Sequence, residues 1–224
     1  MKAFVLAGGY GTRLYPFSEI IPKCLLPIAG KPCCYRIAEK MIKQGFEVII
    51  LINKWAETHF KFEFRDLPVT FSVSPEPQGT VGELLNARSL IDSTFALQYG
   101  DDLTEVDYNA LIKFHVSNRA FATLAVTTMY RLPVGVIEAD EDGRVVAFVE
   151  KPYLGKPSWT ATAIFELEAL SYFKVGEDVS SHTLPKMLAD GARVFAFRVN
   201  YPWYDVGDIS AWHRANEYYR DKNI

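Results

Sequence analysis

The stretch Leu6-Ala7-Gly8-Gly9-Tyr10-Gly11-Thr12-Arg13-Leu14 constrains this chain more than any other. The apolar residues 3–6 read as a short buried strand. Three glycines then remove side chains at the strand's C-terminal exit. Without Cβ atoms the backbone turns sharply, and its N–H groups can approach a phosphate. Arg13 adds a fixed charge with several donors, and Lys23, after Pro22, adds a mobile point charge. Glycines alone would fit an ordinary β-to-α turn; the arginine and the Pro-Lys pair shift the reading toward an anion site. Two known phosphate loops do not fit. A P-loop places Lys and Ser/Thr directly after its last glycine, and a dinucleotide fingerprint needs a glycine where Leu14 stands.

Apolar periodicity extends this start into an α/β chain. Helices are expected over 32–44, 55–64, from the loop at 74–82 through about 90, and over 106–116, 179–188 and 209–219, with another beginning near 166. Strands are expected over 46–52, 69–73, 94–99, 121–129, 159–165 and 194–199. The unbroken apolar run at 46–52 is typical of a parallel strand covered on both faces. Segments 134–138 and 144–149 flank Asp142-Gly143, a hairpin signal that interrupts the alternation. The expected fold is a three-layer α/β/α domain: a Rossmann-like, mostly parallel mixed sheet with an added antiparallel hairpin on one side of a cleft.

The bulk numbers agree with a folded domain and narrow its partners. The 224 residues suffice for one core, and a net charge of −3 speaks against general nucleic-acid binding. Cys24, Cys33 and Cys34 are odd in number, and two are adjacent, so a reduced, cytoplasmic setting is expected. No fourth ligand for zinc stands near them, which leaves buried small hydrophobes. No apolar run reaches membrane-spanning length, and residues 1–6 lack a signal-peptide pattern. Trp55, Phe60 and Phe64 read as core, and His59 and His115 carry no assigned role.

Three further stretches bear chemistry. In Glu76-Pro77-Gln78-Gly79-Thr80-Val81-Gly82 the glycines free the backbone and Thr80 suits a helix cap, so the helix start offers donors to a ligand. The strand at 94–99 runs into Gly100-Asp101-Asp102. Ligands of open α/β sheets gather at such strand ends, where paired acids suit a hard cation such as Mg²⁺ or, equally, a solvated turn. Glu150-Lys151-Pro152 reads by itself as an exposed charge pair.

Taken together these motifs resemble the sugar-1-phosphate nucleotidylyltransferases. Leu6 to Leu14, Pro16 and Pro22-Lys23 match the family's opening signature, Leu-Ala-Gly-Gly-x-Gly-Thr-Arg-Leu-x-Pro followed by Pro-Lys. The resemblance implies nucleotide contacts from Leu6, Ala7, Gly8, Gly9, Gly11, Thr12 and Arg13, and from Glu76, Gln78, Gly79 and Thr80 in a second loop near the base. Asp101 matches a metal-ligating Gly-Asp, with Asp102 as a neighbour, and Asp205 in Trp203-Tyr204-Asp205-Val206-Gly207 matches the second carboxylate for Mg²⁺. Phe148-Val149-Glu150-Lys151-Pro152 matches the acceptor motif, implying that Glu150 contacts the sugar, Lys151 its phosphate, and Gly135 the sugar's face. One segment departs. Where the family carries Asn-Ala-Gly-Ile-Tyr, this chain has Ala161-Thr162-Ala163-Ile164-Phe165, which lacks the amide; Thr160 or Thr162 is the expected partial substitute. The resemblance covers nearly all of 1–224 as a single catalytic domain without the C-terminal β-helix domain of many relatives.

The implied reaction joins a sugar 1-phosphate to the α-phosphorus of a nucleoside triphosphate and releases pyrophosphate. Its nucleophile is already ionised, so positioning and charge neutralisation by Arg13, Lys23, Asp101 and Asp205 would suffice. Two alternatives stay open: a silent regulatory relative that binds an NDP-sugar, and a transferase for a non-sugar phosphate such as phosphocholine.

Overall fold

The strands are built from β-branched and aromatic residues, and their alternation is apolar on both faces, so they must be covered on both. In the computed structural model, which describes residues 1–222, β1 (Lys2–Leu6), β2 (Glu47–Asn53), β3 (Val69–Ser74), β4 (Phe95–Tyr99) and β5 (Ala122–Thr127) enter one sheet. A separate two-stranded hairpin follows, β6 (Gly135–Ala139) and β7 (Val145–Glu150). The chain then returns to the sheet through β8 (Ser158–Phe165) and β9 (Val194–Val199). The seven strands of the sheet lie in the order β9-β5-β8-β4-β1-β2-β3. All neighbours pair in parallel except β8, which runs antiparallel to both β4 and β5. The mostly parallel mixed sheet and its antiparallel hairpin are the fold expected above.

Each face of the sheet supports its own core. Ala3, Val5, Val48, Ile50 and Ile52 pack against α1 (Cys33–Lys43), α2 (Glu57–Glu63), α4 (Tyr108–Ser117) and α6 (Ile209–Asp221). The alternate residues Phe4, Leu6, Ile49 and Leu51 pack against α3 (Gly79–Asn86), α5 (Leu184–Ala189) and the 3₁₀ turn Leu167–Tyr172. All three cysteines lie in the first core, and burial pushes their thiols well up. His115 is buried too. Its ring nitrogens meet Thr123 Oγ1 at 2.8 Å and Glu166 Oε1 at 2.9 Å, so it ties α4 to the sheet.

Four local expectations need correction, the first being Trp55, which is exposed while Phe60 and Phe64 are core. The segment from 166 forms a 3₁₀ turn, and 179–183 forms a π turn before α5 begins, with Pro185 near its start. Apolar spacing alone does not separate these tight and wide turns from an α-helix. Thr80 is not the cap of α3: Gln78 occupies that position, and Thr80 Oγ1 instead bonds Asp178 at 2.9 Å and accepts from the Val179 amide at 3.1 Å.

Candidate active site

The carboxyl ends of β1, β3 and β4 open on a cavity of about 430 Å³. The first loop reaches it because its backbone is pinned from below. Asn53 Nδ2 donates to the Gly8 carbonyl at 2.7 Å, and Asn53 Oδ1 accepts from the Ala56 amide at 3.0 Å. Gly11 has φ of +67°, which favours glycine, and a Cβ there would stand 2.8 Å from the Lys23 Cβ. The missing side chain therefore lets the Lys23 segment fold back under the loop.

Asp101 and Asp205, far apart in sequence, meet through a two-residue antiparallel ladder, Leu103 opposite Tyr204 and Asp102 opposite Asp205. The Val206 amide also donates to the Asp101 carbonyl at 2.9 Å. The outcome is a cluster of Asp101, Asp102 and Asp205 whose carboxylate oxygens lie within 4.8 Å of one another. Lys23 Nζ bonds Asp101 Oδ2, and Arg13 Nη2 stands 3.9 Å from Asp205 Oδ2. Gly207 makes room for that arginine, since a Cβ there would sit 2.5 Å from Nη2.

Charge and burial oppose one another here. Burial pushes the Asp102 carboxyl well up, and the charges of Asp101 and Asp205 push it further. Asp205 is raised by burial and then by Asp101, with Arg13 and Lys23 pulling the other way. Burial disfavours the Lys23 ammonium, but Asp101 outweighs that and holds its pKa above the ordinary value. Crowded carboxylates with oxygen donors, short of positive charge, suit a hard divalent cation.

The cavity wall contains Leu6, Gly8, Gly9, Arg13, Lys23, Gly79, Thr80, Asp101 and Asp205. Ala7, Gly11, Thr12, Glu76 and Gln78 are not part of the wall: Thr12 is exposed and lines a separate cavity with Tyr10 and Trp55, and Gln78 Nε2 bonds the Glu76 carbonyl at 3.2 Å. Gly135, Glu150 and Lys151 lie on the exposed hairpin, outside the wall, with Lys151 Nζ 3.8 Å from Glu150 Oε1. The expected substitutes for the missing amide do not reach the cavity. Thr160 and Thr162 are fully buried, and their hydroxyls bond the Ala125 carbonyl and Gln98 Oε1. Ala161, at φ +54° in a bulge of β8, faces the cavity instead.

Asp102 is more than the expected neighbour of Asp101, and two further wall residues, Tyr99 and Trp159, are unexpected there. Asp102 is a full member of the acidic cluster and accepts from Trp203 Nε1 at 2.5 Å. Tyr99 and Trp159 meet edge to face at 5.6 Å and form an aromatic side. The doubled Asp101-Asp102 was the available clue to the first; nothing local marks the aromatic pair.

An open α/β sheet with its site at the carboxyl ends of parallel strands is the general architecture of nucleotide-handling enzymes. Residues 2–222 match the nucleotidyl transferase family, and the chain belongs to it. It is 32% identical over 220 residues to a mannose-1-phosphate guanylyltransferase of Mycobacterium tuberculosis, covering 92% of this chain and 61% of the relative. It is 28% identical over 241 residues to a UTP–glucose-1-phosphate uridylyltransferase of Synechocystis, covering 96% of this chain and 62% of the relative. The chain thus spans about three fifths of these curated relatives. The structure of HddC from Yersinia pseudotuberculosis complexed with GMP-PN superposes with a TM-score of 0.76 at 28% identity, over 97% of this chain and 99% of that one. A UDP-glucose pyrophosphorylase from Acinetobacter baumanii shares the fold with a TM-score of 0.73 at 19% identity, over 97% and 92% of the two chains. Among the described residues no helix is long and apolar enough to cross a membrane.

Proposed function

We propose that this cavity transfers a nucleotidyl group from a nucleoside triphosphate to a sugar 1-phosphate, releasing pyrophosphate. One observation carries the reading. Arg13, Lys23 and the carboxylates of Asp101 and Asp205, drawn from both ends of the chain, converge beside two glycine-bearing loops in a single cavity. The names of the curated relatives, all transferases of nucleotides to sugar phosphates, support it.

The attacking group is a phosphate oxygen already ionised at neutral pH. The buried thiols, pushed up by burial, are poor nucleophiles, and this reaction needs none. Repulsion between two anions is the main obstacle, so the work is electrostatic. Arg13 holds the pyrophosphate that leaves. Lys23, fixed by Asp101, faces the α-phosphate and the incoming oxygen. Asp101, Asp205 and their neighbour Asp102 are the residues that would hold Mg²⁺. Bound there, the ion would supply positive charge against the triphosphate. Lys151 and Glu150, on the hairpin outside the wall, take the acceptor's phosphate and hydroxyls.

The test is pyrophosphate release from GTP, UTP, dTTP, ATP and CTP, each with glucose 1-phosphate or mannose 1-phosphate, with and without Mg²⁺. Phosphocholine serves as the non-sugar acceptor. Magnesium-dependent release with a sugar phosphate is expected. Release with phosphocholine alone, or binding of an NDP-sugar without release in any pairing, would overturn the proposal in favour of one of the alternatives.

A further inference from the structure

Glu83 is a carboxyl group without the company a buried charge needs. It stands on α3, one turn in from Gly79, and is only 4% exposed. It belongs to the cavity wall beside Gly8, Gly79 and Thr80. Its Oε1 is fully engaged, accepting from Ser74 Oγ at 2.9 Å and from the Gln78 amide at 3.1 Å. Its Oε2 is buried and takes no hydrogen bond. Gly8 lies directly against it: a Cβ there would stand 2.6 Å from Oε1 and 3.4 Å from Oε2. Burial pushes the pKa of Glu83 up, and the groups opposing that are a hydroxyl and a backbone amide, not a cation. The carboxyl therefore sits between the two loops that close on the nucleotide, held at one oxygen and lacking a donor at the other.

A buried carboxylate oxygen left without a donor is strongly unfavourable, and a ligand that brings donors relieves it. An ionised carboxylate only accepts. Among the common bases, guanine offers it two adjacent donors, the ring N1–H and the exocyclic amine. Adenine and cytosine each set an acceptor nitrogen beside their amine. Uracil and thymine flank their single N–H with two carbonyl oxygens that a carboxylate repels.

We infer that Glu83 reads the base, its Oε2 accepting from the N1–H and the amine of guanine, so that the cavity selects guanine nucleotides. Ser74 and the Gln78 amide fix the carboxylate for that contact, and Gly8 is small because the carboxylate passes under it. The inference rests on the nucleotide-binding reading of the cavity given above.

Calorimetric titration of the full chain tests it, with GTP, ITP, ATP, UTP and dTTP in magnesium buffer and no acceptor present. GTP is expected to bind at least about tenfold more tightly than ATP, UTP or dTTP, with ITP, which lacks the amine, in between. Glu83→Gln is expected to weaken GTP by about ten- to a hundredfold and to change ATP and UTP by less than about threefold. A GTP affinity no higher than the others would overturn the inference. So would an equal loss for every nucleotide in Glu83→Gln, which would make the residue a brace between loops. The comparison of GTP with ITP on the unaltered protein does not depend on the variant folding. Binding without guanine preference leaves the proposed transferase function standing, whereas binding of no triphosphate at all overturns both.

Discussion

Asp102 sits between two other acids with the Trp203 indole as its donor, and that placement sets how the cluster responds to protons. Burial and neighbouring carboxylates raise Asp102 and Asp205 above the ordinary value of 3.8. The folded state therefore binds protons more tightly than the unfolded state. This pair contributes most to stability below its folded pKa values and loses that contribution as pH rises through them. In metal-free buffer the pair should lower the thermal midpoint across that rise, and Mg²⁺ should restore more of it at pH 8 than at pH 5 in scanning calorimetry. An equal Mg²⁺ effect at both pH values would place the ion elsewhere. Asp101→Asn should reduce pyrophosphate release by about a hundred- to a thousandfold with an unchanged circular dichroism spectrum. Near-normal turnover would remove Asp101 from the mechanism. Among single residues, Asp101, Asp205, Arg13 and Lys23 were legible in the sequence because each stands inside a short motif. Glu83 was not, because its meaning comes from Ser74 and Gly8, which reach it only in the folded chain.

The glycine loop after β1 owes its position to an element it does not belong to. Asn53, at the end of β2 and 1% exposed, ties the Gly8 carbonyl to the Ala56 amide. Asn53→Ala strands the Gly8 carbonyl, at about 1–3 kcal/mol, while the Ala56 amide keeps its bond to the Asn53 carbonyl at 3.1 Å. Urea titration should show that loss, and nucleotide affinity should fall with it; an unchanged affinity would mean that the loop holds its shape unaided. The hairpin differs in kind. Every residue of β6 is exposed, as is all of β7 except the half-buried Ala147. A two-stranded hairpin without a covered face is marginal by itself. Hydrogen exchange should therefore be fastest over Gly135–Ala139 and slowest over β1, and a bound sugar phosphate should slow the former. Protection of the hairpin by nucleotide alone would assign it to the other substrate. Strands were readable because two-residue alternation or unbroken apolar runs survive any context. The 3₁₀ turn at Leu167–Tyr172 and the π turn at Val179–Thr183 were not, since they bury the same spacing of side chains as a helix would.

Across the whole molecule, stability and chemistry occupy different halves of the same strands. The lower sheet is closed by a run of rings, Phe4 against Phe95 at 5.6 Å, Phe95 against Phe165 at 5.8 Å, and Phe165 against Phe173 at 5.7 Å. Phe165→Ala should destabilise the fold by about 3–5 kcal/mol in urea titration, while the Michaelis constants of the folded fraction stay as they were. A large change in those constants instead would show that the two halves are mechanically joined. At this scale the α/β class and the hairpin were visible from alternation and a turn signal. The reversal of β8 was not, because strand direction depends on where the chain re-enters the sheet.

That reversal has a consequence for how such a molecule can change. Because β8 runs against its neighbours, its opening residues, Trp159 and Ala161, emerge at the rim where the other strands finish. The excursion from the end of β5 through the hairpin thus leaves and rejoins the architecture on one side, with no crossing to the far layer. Lengthening, trimming or recolouring that detour would alter the mouth while the half that carries Arg13, Lys23 and the acidic cluster stays untouched, as a lock's keyway can be recut without replacing its bolt.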